Sequence, residues 1–369
     1  MTTMLRALED WIDDTDAPGD VTIVRRSLPT PAREAVRVEI DLDAIVNNAR
    51  AFQERIGIGK GVVAVLRGNA YGHGLVQSAM ALHHGGNITG LAVDNTDDAF
   101  TLAGLRIDRP ILCEPPVWEG RFAEVVHRGI IPVIGSLRDL RCFAHAARRS
   151  DLTCPVHVRI DATTDVDAML GALARAPELR VIGLAGDAVD AKVSGRFFAA
   201  GHCPTTFGGP GSDHVRAGLA LFEGALRLVS RIAQLRSLEA GETLGGDWRA
   251  ARPSVIATLP LGHRHGYPRR LIGTPEVLVS GLFCPVVGPV GAEMMHVDVT
   301  ELMFPLLGDE VVVFGSQGRE TVLLQDLAAN PEEAFAGLAR ATERDYVRHG
   351  QRHIDSGPAS LASDDLFFA

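Results

Sequence analysis

The sequence predicts an α/β plus all-β protein: an N-terminal (β/α)8 TIM-type barrel followed by a C-terminal β domain. Three observations predict it. From residue 61 to residue 224, short apolar strands alternate with amphipathic helices, the pattern of a parallel sheet buried on both faces. Seven or eight such units occupy about 200 residues, at roughly 25–30 residues per unit, which suits closure into a barrel and leaves an open doubly wound sheet as the alternative. After about residue 237 the runs become short, β-type and broken by Gly and Pro.

In chain order, residues 1–36 are polar, carry Pro18, Pro29 and Pro31, and read as an extended or partly helical arm. "VRVEIDLDAI" (36–45) alternates as a strand and runs into a helix at "DAIVNNARAFQERI". The barrel strands are "GVVAVL" (61–66), "TGLAVD" (89–94), "RPILCE" (109–114), "IIPVIG" (130–135), "CPVHVRID" (154–161) and "LRVIGLAGD" (179–187), with "HVRAGLALFEG" (214–224) closing the series. Between them lie helices, one capped by Asn95 or Thr96 and another starting at Ser136. The barrel is therefore assigned to residues 37–236 and the β domain to 237–369. A terminal helix is expected over "NPEEAFAGLARATERDYVRHG", starting at Asn330 or Pro331.

The chain carries a net charge of −10, which argues against nucleic acid or an anionic membrane as partner. No apolar run reaches the roughly 20 residues that span a bilayer, and the acidic N-terminus lacks the pattern of a signal peptide. Five scattered cysteines without a CxxC pair read as reduced thiols of a cytoplasmic protein. Of 36 basic residues only Lys60 and Lys192 are lysine. Codon bias turns surface Lys into Arg at little cost, but it does not explain the loss of a lysine whose amine performs chemistry.

In a barrel the chemistry sits at the C-terminal strand ends. The polar residues there are Arg67, Asp94, Glu114, Arg159 with Asp161, Asp187 and Arg216. A strand-end Asp is often only a helix N-cap, and a strand-end Arg is often a solvated rim residue. Three arginines around one mouth would instead make an anion-binding field.

The segments "VRVEIDLDAIVNNAR", "AVLRGNAYGHG", "VRAGLALFEG", "LPLGHRHGYPRR" and "VDVT…GDEVVVFG" occur in that order over residues 36–315. Together they resemble the alanine racemase family. The resemblance implies a barrel plus β domain, pyridoxal phosphate (PLP) as cofactor, and a head-to-tail homodimer whose sites are completed by the partner's β domain. The family's motif at 64–74 carries a lysine that forms the Schiff base with PLP; here that position is Arg67, which cannot capture an aldehyde or readily take a proton at neutral pH. The family's second base, a tyrosine, is replaced by His263, which remains competent to move protons, and the aspartate two positions on is His265. A His-x-His pair on an extended segment would place both rings on one face, yet no third metal ligand is evident and no metal is expected.

Other matched positions have also drifted. The family's carbamylated lysine falls at Arg159 and its ring-stacking histidine at Asp187. The phosphate-binding pair falls loosely at Thr205 and Thr206, and the Met-Asp pair near the substrate carboxylate at Ala292 and Glu293. Tyr71, Arg216, Gly218 and Leu219 keep the family pattern, as the phosphate tyrosine, the pyridine-nitrogen arginine and two backbone phosphate donors; Tyr346 is a loose match for a further phosphate tyrosine. The resulting expectation is a repurposed protein with His263, Arg67 and Asp187 as its catalytic group. Tyr71, Arg216, Thr206, Gly218 and Leu219 would bind a cofactor, and Arg159, Glu293 and His265 a small anionic substrate. PLP would be held only non-covalently. Isomerisation, elimination, cyclisation or condensation beside a carboxylate would suit such a site. A non-catalytic binder of PLP, an amino acid or another metabolite, or a partner subunit, is the alternative.

Overall fold

The computed structural model describes residues 35–354, apart from 115–116, 118–119, 187–188, 190, 199–205, 208–212, 247, 270, 272–273, 325–333, 335–337, 339–343 and 349–350. The N-terminal arm of the sequence reading therefore falls almost wholly outside the described residues, as does Asp187.

Strand β1 (Arg37–Asp41) leads into helix Leu42–Ile56, which starts where the Asp41 side chain accepts a hydrogen bond from Ala44 N and stops at Gly57, φ 89°. Eight parallel strands then close a barrel in sequence order: β2 (Gly61–Val65), β3 (Gly90–Val93), β4 (Ile111–Cys113), β5 (Ile131–Ile134), β6 (Cys154–Arg159), β7 (Leu179–Ala185), β8 (Thr206–Phe207) and β9 (His214–Ala217). β2 and β9 pair in parallel, with Val63 opposite Arg216, so the sheet has no open edge. The doubly wound alternative is excluded.

Strand alternation sorts the side chains. Val63, Val65, Ala92, Leu112, Ile131, Val133 and Ala185 form a buried cluster inside the barrel. Val62, Ala64, Leu91, Val93, Val156 and Val158 belong to the larger core shared with the helices outside. Asn95 caps helix Thr96–Ala103 through Asp98 N, and Ser136 caps helix Leu137–Ser150 through Asp139 N. Such caps contribute about 1 kcal/mol each.

Two expectations are corrected. β1, which the sequence reading assigned to the barrel, lies in an eleven-stranded C-terminal sheet, antiparallel to β10 (Leu226–Arg231), itself placed in the barrel segment by sequence, and parallel to Arg344–Arg348. Its charged residues find partners there. Buried Arg37 contacts Glu39 Oε1 at 2.9 Å and Glu310 Oε2 at 3.1 Å, and Arg227 of β10 contacts both of the same carboxylates. Second, the expected terminal helix does not extend over 344–348. That stretch is a strand with Tyr346 opposite Ile40, because pairing with β1 buries Asp345 and Tyr346 and overrides local helix propensity.

Candidate active site

Residue 67 lies one residue beyond β2, after Leu66, and begins an unusual turn. Gly68, Asn69, Ala70 and Tyr71 all have left-handed backbones, with φ between 51° and 59°. Each non-glycine residue in that conformation costs roughly 1–2 kcal/mol. Surrounding bonds hold the turn in place. Asn69 Oδ1 accepts from Leu75 N at 2.8 Å, His73 Nδ1 donates to Tyr71 O at 2.9 Å, and Arg344 Nε donates to Gly72 O at 2.9 Å. His73 is fully buried, and burial lowers its pKa to about 4, so it stays neutral.

Three arginines converge at the C-terminal end of the barrel on one carboxylate, Glu114, which directly follows β4. Arg67 Nη2 lies 3.7 Å and Arg159 Nη2 3.6 Å from Glu114 Oε2, and Arg216 Nη2 contacts Oε1 directly. The Glu114 side chain is 9% exposed, against 41% for Arg67, 36% for Arg159 and 29% for Arg216. Burying a carboxylate this deeply is costly without cations beside it, and the three guanidiniums supply them. Behind it, burial and the neighbouring Glu114, Asp94 and Asp98 carboxylates push the Cys113 thiol up to about 12, so this cysteine is not a nucleophile.

Deeper in the barrel stands His157, on the same strand face as Arg159. Burial, then the positive influence of His214 and Arg216, lowers its pKa to about 4. His157 is not among the strand-end residues that the sequence singles out, and Glu114 is singled out only by its place, with no role; its signal is an apolar strand that stops on a charge before Pro115 and Pro116.

The Tyr71 side chain reaches Gly218, where β9 passes into a 3-10 turn at Leu219–Leu221. A Cβ at Gly218 would collide with the Tyr71 hydroxyl and lie 3.3 Å from the ring Cζ. Tyr346, buried on Arg344–Arg348, sets its hydroxyl over Gly74 three residues beyond Tyr71. Thr206 opens β8.

His263, His265 and Glu293 belong to the β domain. The two histidines lie in a 3-10 turn, His263–His265, and not on an extended segment; the φ of 87° at Gly266 turns the chain there. Their hydrogen bonds fix opposite tautomers. His263 Nδ1 donates to Tyr267 O at 3.0 Å, which leaves its Nε2 as a proton acceptor. His265 Nδ1 accepts from Gly262 N at 3.2 Å, which places the ring proton of the neutral form on Nε2. Glu293 pairs with Arg264 on the exposed surface. Within one chain, no hydrogen bond or ion pair among the described residues joins His263 to the arginines. Lys60 is exposed immediately before β2, at the opposite end of the barrel, and Lys192 is exposed on helix Ala191–Phe197.

Residues 40–192 match the family model described as "Alanine racemase, N-terminal domain", and residues 225–346 match "Alanine racemase, C-terminal domain". An alanine racemase from Syntrophobacter fumaroxidans is 31% identical over 341 residues, covering 79% of this chain and 91% of that protein. Among solved structures, alanine racemase from Streptomyces coelicolor A3(2) superposes with a TM-score of 0.76 at 23% identity, covering 85% of this chain and 98% of that one. Alanine racemase from Bartonella henselae, solved with covalently bound pyridoxal phosphate, gives 0.73 at 21% identity over 85% and 100%.

Proposed function

The chain belongs to the alanine racemase family, and from that membership we propose a diverged activity. It is acid–base chemistry on a small substrate bearing a carboxylate or phosphate, with no covalent bond to pyridoxal phosphate. The observation that carries this reading is the convergence of Arg67, Arg159 and Arg216 at the barrel mouth, with Arg67 standing where the family motif has its lysine.

The cradle fits that cofactor at one end only. Gly218, having no Cβ, lets the Tyr71 hydroxyl close against the backbone where the Leu219 turn begins, which gathers the donors a phosphate-sized anion would use. The other end offers a guanidinium, which does not capture an aldehyde, and Arg216 is engaged by Glu114. No step is therefore routed through the cofactor; a non-covalent phosphate ligand remains compatible with the cradle.

In the proposed scheme the arginines bind the substrate anion and neutralise charge that develops on an enolate or oxyanion. His263 Nε2 takes up and returns the proton beside the carboxylate. The partner subunit of a head-to-tail dimer delivers His263, and Asp187 serves as its partner or as a second base. Exposed Met294, Met303, Phe304, Leu306 and Leu307 in the same β domain support such an interface with a second copy.

The test is proton exchange in deuterated water. Small carboxylic and phosphorylated acids are incubated with the purified protein, and deuterium entering beside the carboxylate is followed by NMR. Exchange is expected for one of them, falling by a factor of about 100 or more in His263→Asn. Yellow protein that bleaches with borohydride and becomes covalently labelled would overturn the proposal. A second reading, ligand binding without turnover, is favoured by the near-complete burial of Glu114 among the arginines; saturable binding with no exchange would select it.

A further inference from the structure

Glu114 has no part in the scheme above, yet it stands at the centre of the mouth. Its backbone is fixed: its N–H donates to Val93 O at 2.9 Å, and Pro115 follows it, which restricts Glu114 to extended conformations. Its side chain is more than nine-tenths buried. Its two oxygens are held unequally. Oε1 is in direct contact with Arg216 Nη2. Oε2 lies 3.7 Å from Arg67 and 3.6 Å from Arg159, inside ion-pair range but outside hydrogen-bond range, and both arginines are more than a third exposed toward the mouth. A carboxylate seated squarely on two guanidiniums makes bonds of about 2.7–2.9 Å. The arrangement at Oε2 falls well short of that.

We infer that Glu114 is a resident carboxylate in a seat built for a ligand's carboxylate. An incoming small aliphatic carboxylate takes over Arg67 and Arg159 from Glu114 Oε2, while Oε1 stays on Arg216. This rests on the anion-binding part of the function proposed above, and it names the head group that the mouth recognises. A planar two-oxygen group is selected because the side chain already there has that shape.

Acetate, acetamide and inorganic phosphate are the probes, titrated at constant ionic strength against chloride into the full-length protein. Glu114→Ala should melt at lower temperature in chloride and recover in acetate but not in acetamide. Its acetate affinity should exceed that of the wild type, measured by calorimetry, by about tenfold or more. Wild-type protein should still bind acetate saturably, and adding Arg159→Met should abolish binding in both backgrounds. If Glu114→Ala does not fold, Glu114→Gln keeps the shape without the charge and should also bind acetate about tenfold more tightly than wild type. Three results overturn the inference: stabilisation by acetate no greater than by chloride, phosphate displacing bound acetate as effectively as acetate itself, or no saturable acetate binding by the wild type. The two readings fail separately. Acetate binding with no deuterium exchange on any acid sinks the acid–base scheme and leaves the seat. Exchange that falls in Arg159→Met but is indifferent to Glu114→Gln sinks the seat and leaves the scheme.

Discussion

The Tyr71 hydroxyl fills the space that a Cβ on Gly218 would need. The left-handed turn after β2 and the 3-10 turn after β9 are thereby fitted to each other across the closure of the barrel. Gly218→Ala should cost about 1–3 kcal/mol of stability by overpacking. Tyr71→Phe removes the clashing oxygen, so the double variant should recover about 1 kcal/mol relative to the sum of the single changes. Urea denaturation of the four proteins checks this.

Arg67→Lys returns an amine to the mouth. The variant is expected to turn yellow with pyridoxal phosphate and to retain a label after borohydride, whereas wild-type protein should not. Glu114 beside that amine favours its charged form, and only the neutral form is nucleophilic. Labelling should therefore rise with pH, and in Arg67→Lys/Glu114→Gln it should begin at lower pH. Absorbance and intact mass follow both.

His73 and His157 both titrate near pH 4 in the fold and near 6.5 when unfolded. A histidine held neutral contributes fully above pH 6.5. As pH falls, the unfolded chain takes up the proton first, so stability drops between 6.5 and 4 and then levels off. At pH 5 each histidine should account for a loss of about 2 kcal/mol relative to pH 7. His157→Leu, an apolar residue in the barrel interior, should shrink the loss between pH 7 and pH 5 by about that amount in urea titrations.

If His263 serves the neighbouring subunit, inactive Arg67→Met and inactive His263→Asn proteins should complement each other. Mixed dimers carry one site with both changes and one with neither. Equal mixing, after dissociation and reassembly, should recover about a quarter of wild-type deuterium exchange. No recovery, with mixed dimers shown to form, places His263 in its own chain's site or in none.

Seven of the barrel strands were legible because apolar runs alternate with helix signals, and strand-to-helix order fixes a parallel sheet; β8, only Thr206–Phe207, is too short to leave such a run. β1 was not: "RVEID" looks the same in either sheet, and its choice depends on Glu310 and Tyr346, some 270–300 positions away. "RDYVR" has helix-forming neighbours, and only a strand waiting beside it makes it β. At the site, Arg67, Arg159 and Arg216 were visible one by one as charges at strand ends. Their meeting on Glu114 was not, because spacing along a chain does not say which strand ends face each other. The opposite tautomers of His263 and His265 depend on two backbone groups, and residue type carries no trace of them.

The turn at 68–71 has one more effect. Its path is held by its own left-handed backbone and by bonds from Asn69, His73 and Arg344, none of them made by the side chain of residue 67. Position 67 is a fixed mount with an interchangeable tool head. Changing residue 67 would alter the group presented at the mouth without removing any of those bonds.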